Sequence, residues 1–359
     1  MLDVTPAFWK GRRVFVTGHT GFKGSWLTFW LLRMGAVVTG YALAPETTPS
    51  LFRLLDLPEG HFADLRDEQC VATSMEHSRP EVVLHLGAQA LVRRSFANPL
   101  ETFNTNVIGT ANVLDAVRQS STVKAVVIVT SDKCYLNNEW VWPYRETDAL
   151  GGHDPYSASK AAAEIVTSSM RLSFFAPHCP DGHPARIASV RAGNVIGGGD
   201  WSDDRLVPDI VRASTKGENL RLRRPESVRP WQHVLEPLAS YLGIAERLYA
   251  NDERADGAFN IGPVSSDVRP VSEVADKFVA ALGARITYER TTATLHEANM
   301  LLLDSSKASL VLGWQPRWSF DDAIRMTAAW YAGYARGQNP AALTSSQIDA
   351  FVNDSPYNV

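Results

Sequence analysis

Three short segments of this chain carry groups suited to one redox reaction. Residues 17–24 contain three glycines, residues 131–133 are Ser-Asp-Lys, and Tyr156 stands four positions before Lys160. On a helix, a spacing of four places the phenol and the amine on one face. A neighbouring cation favours the phenolate, which makes a tyrosine usable as a base near neutral pH. The pattern indicates proton abstraction from an alcohol beside a redox cofactor.

The Ser131-Asp132-Lys133 triplet adds an acid and an amine that the oxidation of an alcohol does not need. A β-elimination needs a base for the proton beside a ketone and an acid for the departing hydroxide. Asp132 could be that acid if burial raises its pKa, and Lys133 could be the base if desolvation leaves its amine neutral. A solvated Asp-Lys pair in a loop is the alternative, which the position at the end of a predicted strand disfavours.

The three glycines, Gly18, Gly21 and Gly24, lie between a predicted buried strand and a predicted helix. Glycine lets the backbone approach a ligand closely, and the helix N-terminus offers free N–H groups to a pyrophosphate. Tight packing of a strand-to-helix turn is the alternative explanation. The flanking elements favour a dinucleotide site.

An acidic residue about 20 positions after such a turn usually binds the adenosine ribose, but the second predicted strand has no carboxylate before Glu46. The residues alone therefore do not decide whether the cofactor is NAD or NADP. Arg53 could meet a phosphate or be an ordinary surface arginine. Asp64 and Leu65 could contact the adenine or form a turn.

The elements that must position these groups alternate between strands and helices. We predict strands at 13–17, 36–41, 81–86, 125–129 and 186–191, and helices at 25–34, 107–119 and 156–171. Such alternation predicts an α/β fold with a doubly wound parallel sheet, which binds ligands at the carboxyl ends of its strands. The composition changes after Gly197-Gly198-Gly199. We therefore predict a cofactor domain at 1–195 and a smaller, mainly substrate-binding α/β domain at 196–359, with later segments, about 230–262, returning to the first domain.

The composition excludes several classes of protein. The 359 residues are 45% hydrophobic and 21% charged, as in ordinary globular proteins, and the net charge of −4 gives no electrostatic footprint for nucleic acid. Three scattered cysteines fit neither a disulfide framework nor a zinc site, so no metal is expected. The N-terminal residues lack a signal peptide, and no apolar run approaches the ~20 residues that span a membrane. We expect a cytoplasmic protein.

These segments together resemble the extended short-chain dehydrogenase/reductase family, which implies a Rossmann-type sheet and NAD. By that resemblance Tyr156 takes the hydroxyl proton, Lys160 binds the nicotinamide ribose and lowers the tyrosine pKa, and Ser131 hydrogen-bonds the reacting oxygen. The turn 85–89 matches the family's backbone contact to the cofactor, and Asn106 lies in a mainly structural helix motif. The predicted cofactor-binding residues are Gly18, Thr20, Gly21, Phe22, Lys23, Gly24, Asp64, Leu65, Leu86, Gly87, Ala88, Asn106, Tyr156 and Lys160.

The resemblance narrows to the nucleotide-sugar 4,6-dehydratases, which usually carry Thr-Asp-Glu where this chain has Ser131-Asp132-Lys133. The lysine at this position resembles the residue found in the branch that acts on CDP-glucose. The sequences at 190–201, 229–234 and 296–298 also resemble that branch. The implied reaction is NAD-mediated oxidation at sugar carbon 4, loss of water across carbons 5 and 6, and hydride return to carbon 6. The product would be CDP-4-dehydro-6-deoxyglucose, and the catalytic set Ser131, Asp132, Lys133, Tyr156 and Lys160.

The same resemblance implies that the nucleotide sugar is bound by Asn194, Arg205, Arg229 and His296. Surface ion pairs are the alternative for the two arginines. Trp201, Trp231 and Trp314 could stack on the base or pack in the core. The family also implies a homodimer or a dimer of dimers, paired through the helices after Val107 and Tyr156.

Three other functions remain open. A nucleotide-sugar 4-epimerase shares the Tyr156 and Lys160 chemistry but needs no acid at position 132. A ketoreductase would consume reduced cofactor. A non-catalytic dinucleotide sensor would be expected to have lost Tyr156 or Lys160, and both are present.

Overall fold

The protein is described here from a computed structural model that covers residues 2–176, 178–179, 181–222, 224–284, 288–290 and 298–354. The strands are β1 (Arg13–Thr17), β2 (Val37–Ala42), β3 (His61–Phe62), β4 (Val82–His85), β5 (Ala125–Val129), β6 (Arg186–Ala192), β7 (Asn194–Ile196), β8 (Leu220–Leu222), β9 (Val228–His233), β10 (Gly257–Ile261), β11 (Val268–Pro270) and β12 (Tyr288–Arg290). The helices are α1 (Pro6–Trp9), α2 (Phe22–Arg33), α3 (Leu51–Leu54), α4 (Glu68–Ser78), α5 (Val92–Ala97), α6 (Pro99–Phe103), α7 (Gly109–Gln119), α8 (Pro155–Phe174), α9 (Leu206–Lys216), α10 (Leu235–Tyr249), α11 (Val271–Leu282), α12 (Phe320–Ala335) and α13 (Pro340–Asn353).

Seven strands form a parallel sheet in the order β3-β2-β1-β4-β5-β6-β10. The strand order reverses between β1 and β4, so a crevice opens at the carboxyl ends of these two strands. In register, Thr17 at the end of β1 stands beside Tyr41 on one side and His85 on the other. The predicted doubly wound parallel sheet is confirmed.

The strands are buried because helices cover both faces of the sheet. All residues of β4 and β5 are buried, which matches their continuous apolar sequences. One core cluster packs the sheet against α2, α10, α12 and α13, and a second packs its other face against α4 and α7. The sheet is therefore a rigid platform whose strand ends hold the polar segments.

A small three-stranded sheet has the order β11-β9-β7, and β8 and β12 form a separate two-stranded pair. Only Gly193 separates β6 of the large sheet from β7 of the small one. A Cβ atom at this glycine would lie 2.5 Å from the Pro230 side chain on β9. The junction between the two sheets is short and closely packed.

The later part of the chain is shared between the layers. β10 pairs with β6 in the large sheet, and α10 packs on β5 and β6, whereas β9 belongs to the small sheet. The division at residues 195 and 196 stays a prediction.

The C-terminal segment forms the capped helix α13. Asn339 caps α13 by accepting hydrogen bonds from the N–H groups of Ala341 and Ala342, and Ile348 and Phe351 are buried. Among the helices that the structure describes, none combines the length and apolar character needed to cross a bilayer.

Candidate functional site

The segment after β5 presents the Ser-Asp-Lys triplet at the switch-point edge of the sheet. Ser131 has extended backbone angles and begins a short 3₁₀ turn at Asp132–Cys134. The Ser131 hydroxyl accepts a hydrogen bond from the Lys133 N–H (3.2 Å) and donates one to Asp132 Oδ1 (2.9 Å). The other carboxylate oxygen of Asp132 is buried without a hydrogen-bond partner. This oxygen is free to meet a ligand.

The helix α8 places Tyr156 and Lys160 on one buried face. Asp154 caps the helix by accepting hydrogen bonds from the Ser157 N–H (2.9 Å) and hydroxyl (2.6 Å), and Pro155 occupies its first turn. Tyr156 and Lys160 are 8% and 6% exposed. A cap followed by proline fixes where the helix starts and therefore which residues face the crevice.

The turn after β1 has the shape that a dinucleotide needs. Gly18 has φ of +72°, and a Cβ there would lie 2.7 Å from the Gly87 nitrogen. A Cβ on Gly24 would lie 2.0 Å from the Gly18 carbonyl oxygen, whereas one on Gly21, the N-cap of α2, would meet that oxygen at 3.4 Å. The turn therefore packs directly on the turn after β4 and leaves the N-terminus of α2 open to a phosphate.

Two adjoining cavities run along this edge of the sheet. One, of about 330 Å³, is lined by the glycine turn, by residues 42–47 at the end of β2 and beyond it, by residues 63–66, by the turn after β4, and by Tyr156 and Lys160. The other, of about 300 Å³, is lined by the Ser131 segment, Tyr156 and the small sheet. We call them the cofactor cavity and the substrate cavity. Seven residues line both cavities: Lys23, Ala90, Leu91, Thr130, Tyr156, Asp200 and Arg205.

The predicted cofactor residues lie on the cofactor cavity with one exception. Lining it are Gly18, Thr20, Gly21, Phe22, Lys23, Gly24, Asp64, Leu65, Leu86, Gly87, Ala88, Tyr156 and Lys160. Asn106 lies behind the wall instead. Its amide oxygen accepts the Gln89 N–H (2.8 Å), and its NH₂ donates to the Gln89 carbonyl (3.0 Å) and the Ser159 hydroxyl (2.8 Å). It holds the turn after β4 against α8.

Burial dominates the electrostatics of the cleft. It raises the pKa of Asp132 against the nearby cations Lys133, Arg229 and Lys23. It lowers the pKa of Lys160 to about 8 and, together with Arg205 and Lys160, that of Lys23 to about 7. The acid is thereby held closer to its neutral form than an exposed aspartate would be.

The pKa of the Tyr156 phenol differs from what the sequence predicts. Burial raises its pKa to about 12, a hydrogen bond with Ser131 opposes the rise, and Arg205 is the cation with the largest lowering effect. Lys160 is expected from the sequence to be that cation. The phenol of the ligand-free protein therefore keeps its proton at neutral pH.

The predicted substrate residues take different positions. Asn194, Arg205 and Arg229 line the substrate cavity, and His296 falls outside the described residues. Arg205 lies 3.2 Å from Asp200. The Arg229 guanidinium donates to the backbone carbonyls of Val228 (2.8 Å), Ala298 and Asn299 (3.3 Å), which ties residues 298–299 to β9.

The three tryptophans separate in the structure. Trp231 lines the substrate cavity, and its indole N–H donates to the Arg269 carbonyl (3.1 Å). Trp201 lines the cofactor cavity. Trp314 is buried in the large core cluster.

Two groups of functional interest were not predicted. Arg66 and Arg94 line the cofactor cavity, where Arg66 pairs with Asp64 (2.5 Å) and Arg94 with Glu46 (2.9 Å) and Glu101 (2.7 Å). No spacing rule predicts these two arginines from the sequence. Glu46, the first carboxylate after β2, is the sequence feature that could have drawn attention to this region. Arg53, by contrast, forms an exposed ion pair with Glu59. The second group, Glu164 and Arg191, is buried behind the triplet.

The chain is similar to known proteins in sequence. Residues 15–327 match the sequence profile of the family described as GDP-mannose 4,6 dehydratase. A CDP-glucose 4,6-dehydratase of Salmonella typhimurium is 48% identical over 350 residues, covering 96% of this chain and 98% of that protein.

Solved structures share the architecture. The UDP-glucose 4-epimerase of Thermus thermophilus, solved with NAD, has a TM-score of 0.75 and 25% identity, covering 89% of this chain and 99% of its own. The dTDP-glucose 4,6-dehydratase of Bacillus anthracis, also with NAD, has a TM-score of 0.72 and 20% identity, covering 92% and 99%. The second likeness establishes the fold alone.

Proposed function

Because this chain belongs to the GDP-mannose 4,6-dehydratase family, we propose that it dehydrates CDP-glucose to CDP-4-dehydro-6-deoxyglucose, with NAD as its cofactor. The enzyme is a nucleotide-sugar 4,6-dehydratase and therefore a lyase. The observation that carries the proposal is the buried Asp132, which lines the same cavity as Ser131 and Tyr156 and has one carboxylate oxygen without a hydrogen-bond partner. An acid at this place serves an elimination and has no role in a simple oxidation.

The residues of the cofactor cavity fit NAD. The glycine turn would receive the pyrophosphate, Lys160 the nicotinamide ribose, and the region of Asp64 and Leu65 the adenosine. When bound, NAD accepts a hydride from sugar carbon 4 and returns it to carbon 6. Arg66 and Arg94 would complete the adenosine end.

The chain's own groups divide the proton transfers. Tyr156 takes the proton of the carbon 4 hydroxyl as a phenolate, the form that the positive charge of a bound nicotinamide would favour, and Ser131 hydrogen-bonds that oxygen. Lys133, as a neutral amine, removes the proton at carbon 5, next to the ketone, and Asp132 gives its proton to the hydroxyl that leaves carbon 6 as water. When the hydride returns to carbon 6, the Lys133 ammonium gives a proton back to carbon 5. The raised pKa of Asp132 supports its role as a proton donor.

We assign the nucleotide sugar to the substrate cavity. Its diphosphate would meet Arg205 and Arg229, and Asn194 lies on the same wall. His296 stays a prediction from the sequence. Identity of 48% to a CDP-glucose enzyme, against 25% to an epimerase, favours dehydration over epimerisation.

We propose two further properties. The assembly is a homodimer or a pair of dimers formed through α7 and α8, supported by exposed apolar side chains at Ile108, Ile165 and Leu172. The compartment is the cytoplasm, where the thiols of the three free cysteines would persist.

The reaction is tested with NAD and CDP-glucose that carries deuterium at carbon 4. We expect the deuterium to arrive at carbon 6 of a product that has lost water, as seen by mass spectrometry and NMR. A product of unchanged mass with inverted carbon 4 would show an epimerase instead. Lasting accumulation of reduced cofactor would show a net oxidation.

A further inference from the structure

A buried ion pair lies directly behind the Ser-Asp-Lys triplet. Glu164 on α8 and Arg191 on β6 are 2.8 Å apart, with side chains 2% and 5% exposed. Burying two charges is costly unless their remaining polar atoms are satisfied. Neither residue lines the substrate or the cofactor cavity, so neither contacts a ligand there.

The pair holds both ends of the triplet. On one side the Thr130 hydroxyl donates to Glu164 Oε1, and Thr130 directly precedes Ser131. On the other side Arg191 Nη1 donates to the Tyr135 hydroxyl (2.9 Å), and Tyr135 directly follows the 3₁₀ turn. The segment that carries Ser131, Asp132 and Lys133 is thus fixed at its start and at its finish.

The pair is itself anchored to the large sheet. Glu164 Oε2 accepts a hydrogen bond from the Ser189 hydroxyl on β6 (2.8 Å). The Tyr135 hydroxyl in turn donates to Asn260 Oδ1 on β10 (2.7 Å), and Arg191 Nη1 also donates to the Glu146 carbonyl (3.2 Å). The contacts therefore connect α8, β5, β6 and β10 at the strand ends that face the cleft.

Glu164 also acts on Lys160, one helical turn earlier on α8. Its negative charge raises the pKa of Lys160 against the larger lowering effect of burial, which leaves the value at about 8. The titratable and charged groups facing Lys160 from the packed elements are Glu164 on α8, Cys134 in the 3₁₀ turn, Lys23 on α2 and His85 on β4. Of these, Glu164 is the strongest influence that favours the ammonium form.

We propose that Glu164 and Arg191 are positioning residues for the dehydration, fixing the Ser131–Lys133 segment from behind and sustaining the positive charge of Lys160. This inference rests on the proposed function for the chemistry that the segment performs. Its electrostatic half concerns the ligand-free protein and can be tested without substrate.

The first test measures the titration of Lys160 in the ligand-free protein. Competitive acetylation across a pH series, read by mass spectrometry of the peptide that contains Lys160, gives its apparent pKa. For Glu164→Gln, which keeps the shape and removes the charge, we expect the midpoint to move to lower pH by about 1 pH unit or more. An unchanged midpoint would overturn the electrostatic role.

A matched control is Glu236→Gln. Glu236 is also fully buried, but it accepts the N–H groups of Arg317 and Trp318 and faces neither cavity. Removing this carboxylate should leave the Lys160 midpoint unchanged. An equal movement in both variants would assign the effect to a general loss of packing and overturn the proposal.

The second test separates charge from reach. Glu164→Asp keeps the charge and shortens the side chain. The carboxylate oxygens then move away from the Thr130 and Ser189 hydroxyls, which lose their hydrogen-bond acceptor. We expect the Lys160 midpoint to stay near the wild-type value while kcat for dehydration falls ~10- to 100-fold with little change in KM for CDP-glucose. Wild-type kcat in this variant would overturn the positioning role. Because the variant retains the buried charge, it still tests the positioning role if Glu164→Gln fails to fold.

The two proposals fail in different ways. If labelled CDP-glucose is not dehydrated by the wild-type protein, the proposed function is wrong while the Lys160 titration still decides the electrostatic role. If dehydration proceeds and Glu164→Asp behaves as wild type, the positioning role alone is wrong.

Discussion

At the scale of single residues, burial pushes the acid and the amines of the cleft towards their neutral forms. The pKa of Asp132 is raised, while those of Lys23 and Lys160 are lowered to about 7 and about 8. The positive charge offered to an incoming diphosphate therefore declines as the pH rises through this range.

The role of Asp132 is tested by Asp132→Asn. The amide cannot donate an acidic proton to the leaving hydroxide, so we expect elimination to slow by ~100-fold or more while the oxidation step survives. Rapid mixing with CDP-glucose, following absorbance of the reduced nicotinamide and product separately, measures the two steps. Product formation at the wild-type rate would remove Asp132 from the mechanism.

The role of Lys133 is tested by Lys133→Met, which keeps the chain length and removes the amine. We expect slower exchange of the carbon 5 proton with solvent deuterium, again by ~100-fold, because no other base is assigned to that carbon. NMR of the substrate pool in deuterium oxide follows the exchange. Normal exchange would transfer the role to another group.

At the scale of elements, the packing of the glycine turn predicts that alanine destabilises the protein at one glycine and not at another. Gly24→Ala places a Cβ 2.0 Å from the Gly18 carbonyl oxygen, so we expect it to destabilise the free protein by about 1–3 kcal/mol. Gly21→Ala meets the same oxygen at 3.4 Å and should leave stability near wild type. Urea unfolding of both variants makes the comparison, and equal stabilities would contradict it.

The start of α10 contains a carboxyl group that links stability to pH. Burial raises the pKa of Glu236 from 4.5 to about 7, so the folded protein retains a proton that the unfolded chain has lost. The stability that this group contributes is complete below pH 4.5 and declines as the pH rises towards 7. In Glu236→Gln we expect the loss of unfolding free energy between pH 5 and pH 8 to shrink by up to about 3 kcal/mol. Urea unfolding at both pH values tests this; an unchanged pH dependence would refute it.

The sequence predicts well those elements whose signals are local. The strands 13–17 and 125–129 coincide with β1 and β5, and the helix predicted at 156–171 lies within α8. The helix expected at 107–119 starts only at Gly109, because a π-helical turn at Asn104–Ile108 precedes it and aligns Asn106 with the turn after β4.

The rest depends on contacts between distant segments. Glu164 is an ordinary polar position of an amphipathic helix in the sequence, and only the fold brings it to Thr130 and Arg191. Likewise, the cation that most lowers the pKa of Tyr156 is Arg205, at the start of α9, rather than Lys160 on the same helix as the tyrosine. Spacing rules identify partners within a helix but not across the sheet.

At the scale of the whole molecule, apolar side chains on α8 predict the assembly. Ile165 and Leu172 lie two turns apart on one helix face and are 57% and 47% exposed. Ile165→Glu should dissociate a dimer formed there, as measured by sedimentation equilibrium, because an unpaired charge would be buried. Leu310→Glu, at a more exposed site elsewhere, is the matched control and should leave the assembly intact. A dimer that survives Ile165→Glu places the interface on another surface.

The single residue between the two sheets limits how this protein can be recombined with its relatives. A crossover at Gly193 would take β6 from one parent and β7 from the other. Asn194, the first residue of β7 and part of the wall of the substrate cavity, would then follow a β6 strand from a different protein. It would also separate Gly193 from Pro230, which leaves no room for a Cβ at that position. Chimeras designed to accept a different nucleotide should therefore inherit β6, β7 and β9 from one parent, with the breakpoints in the helices on either side.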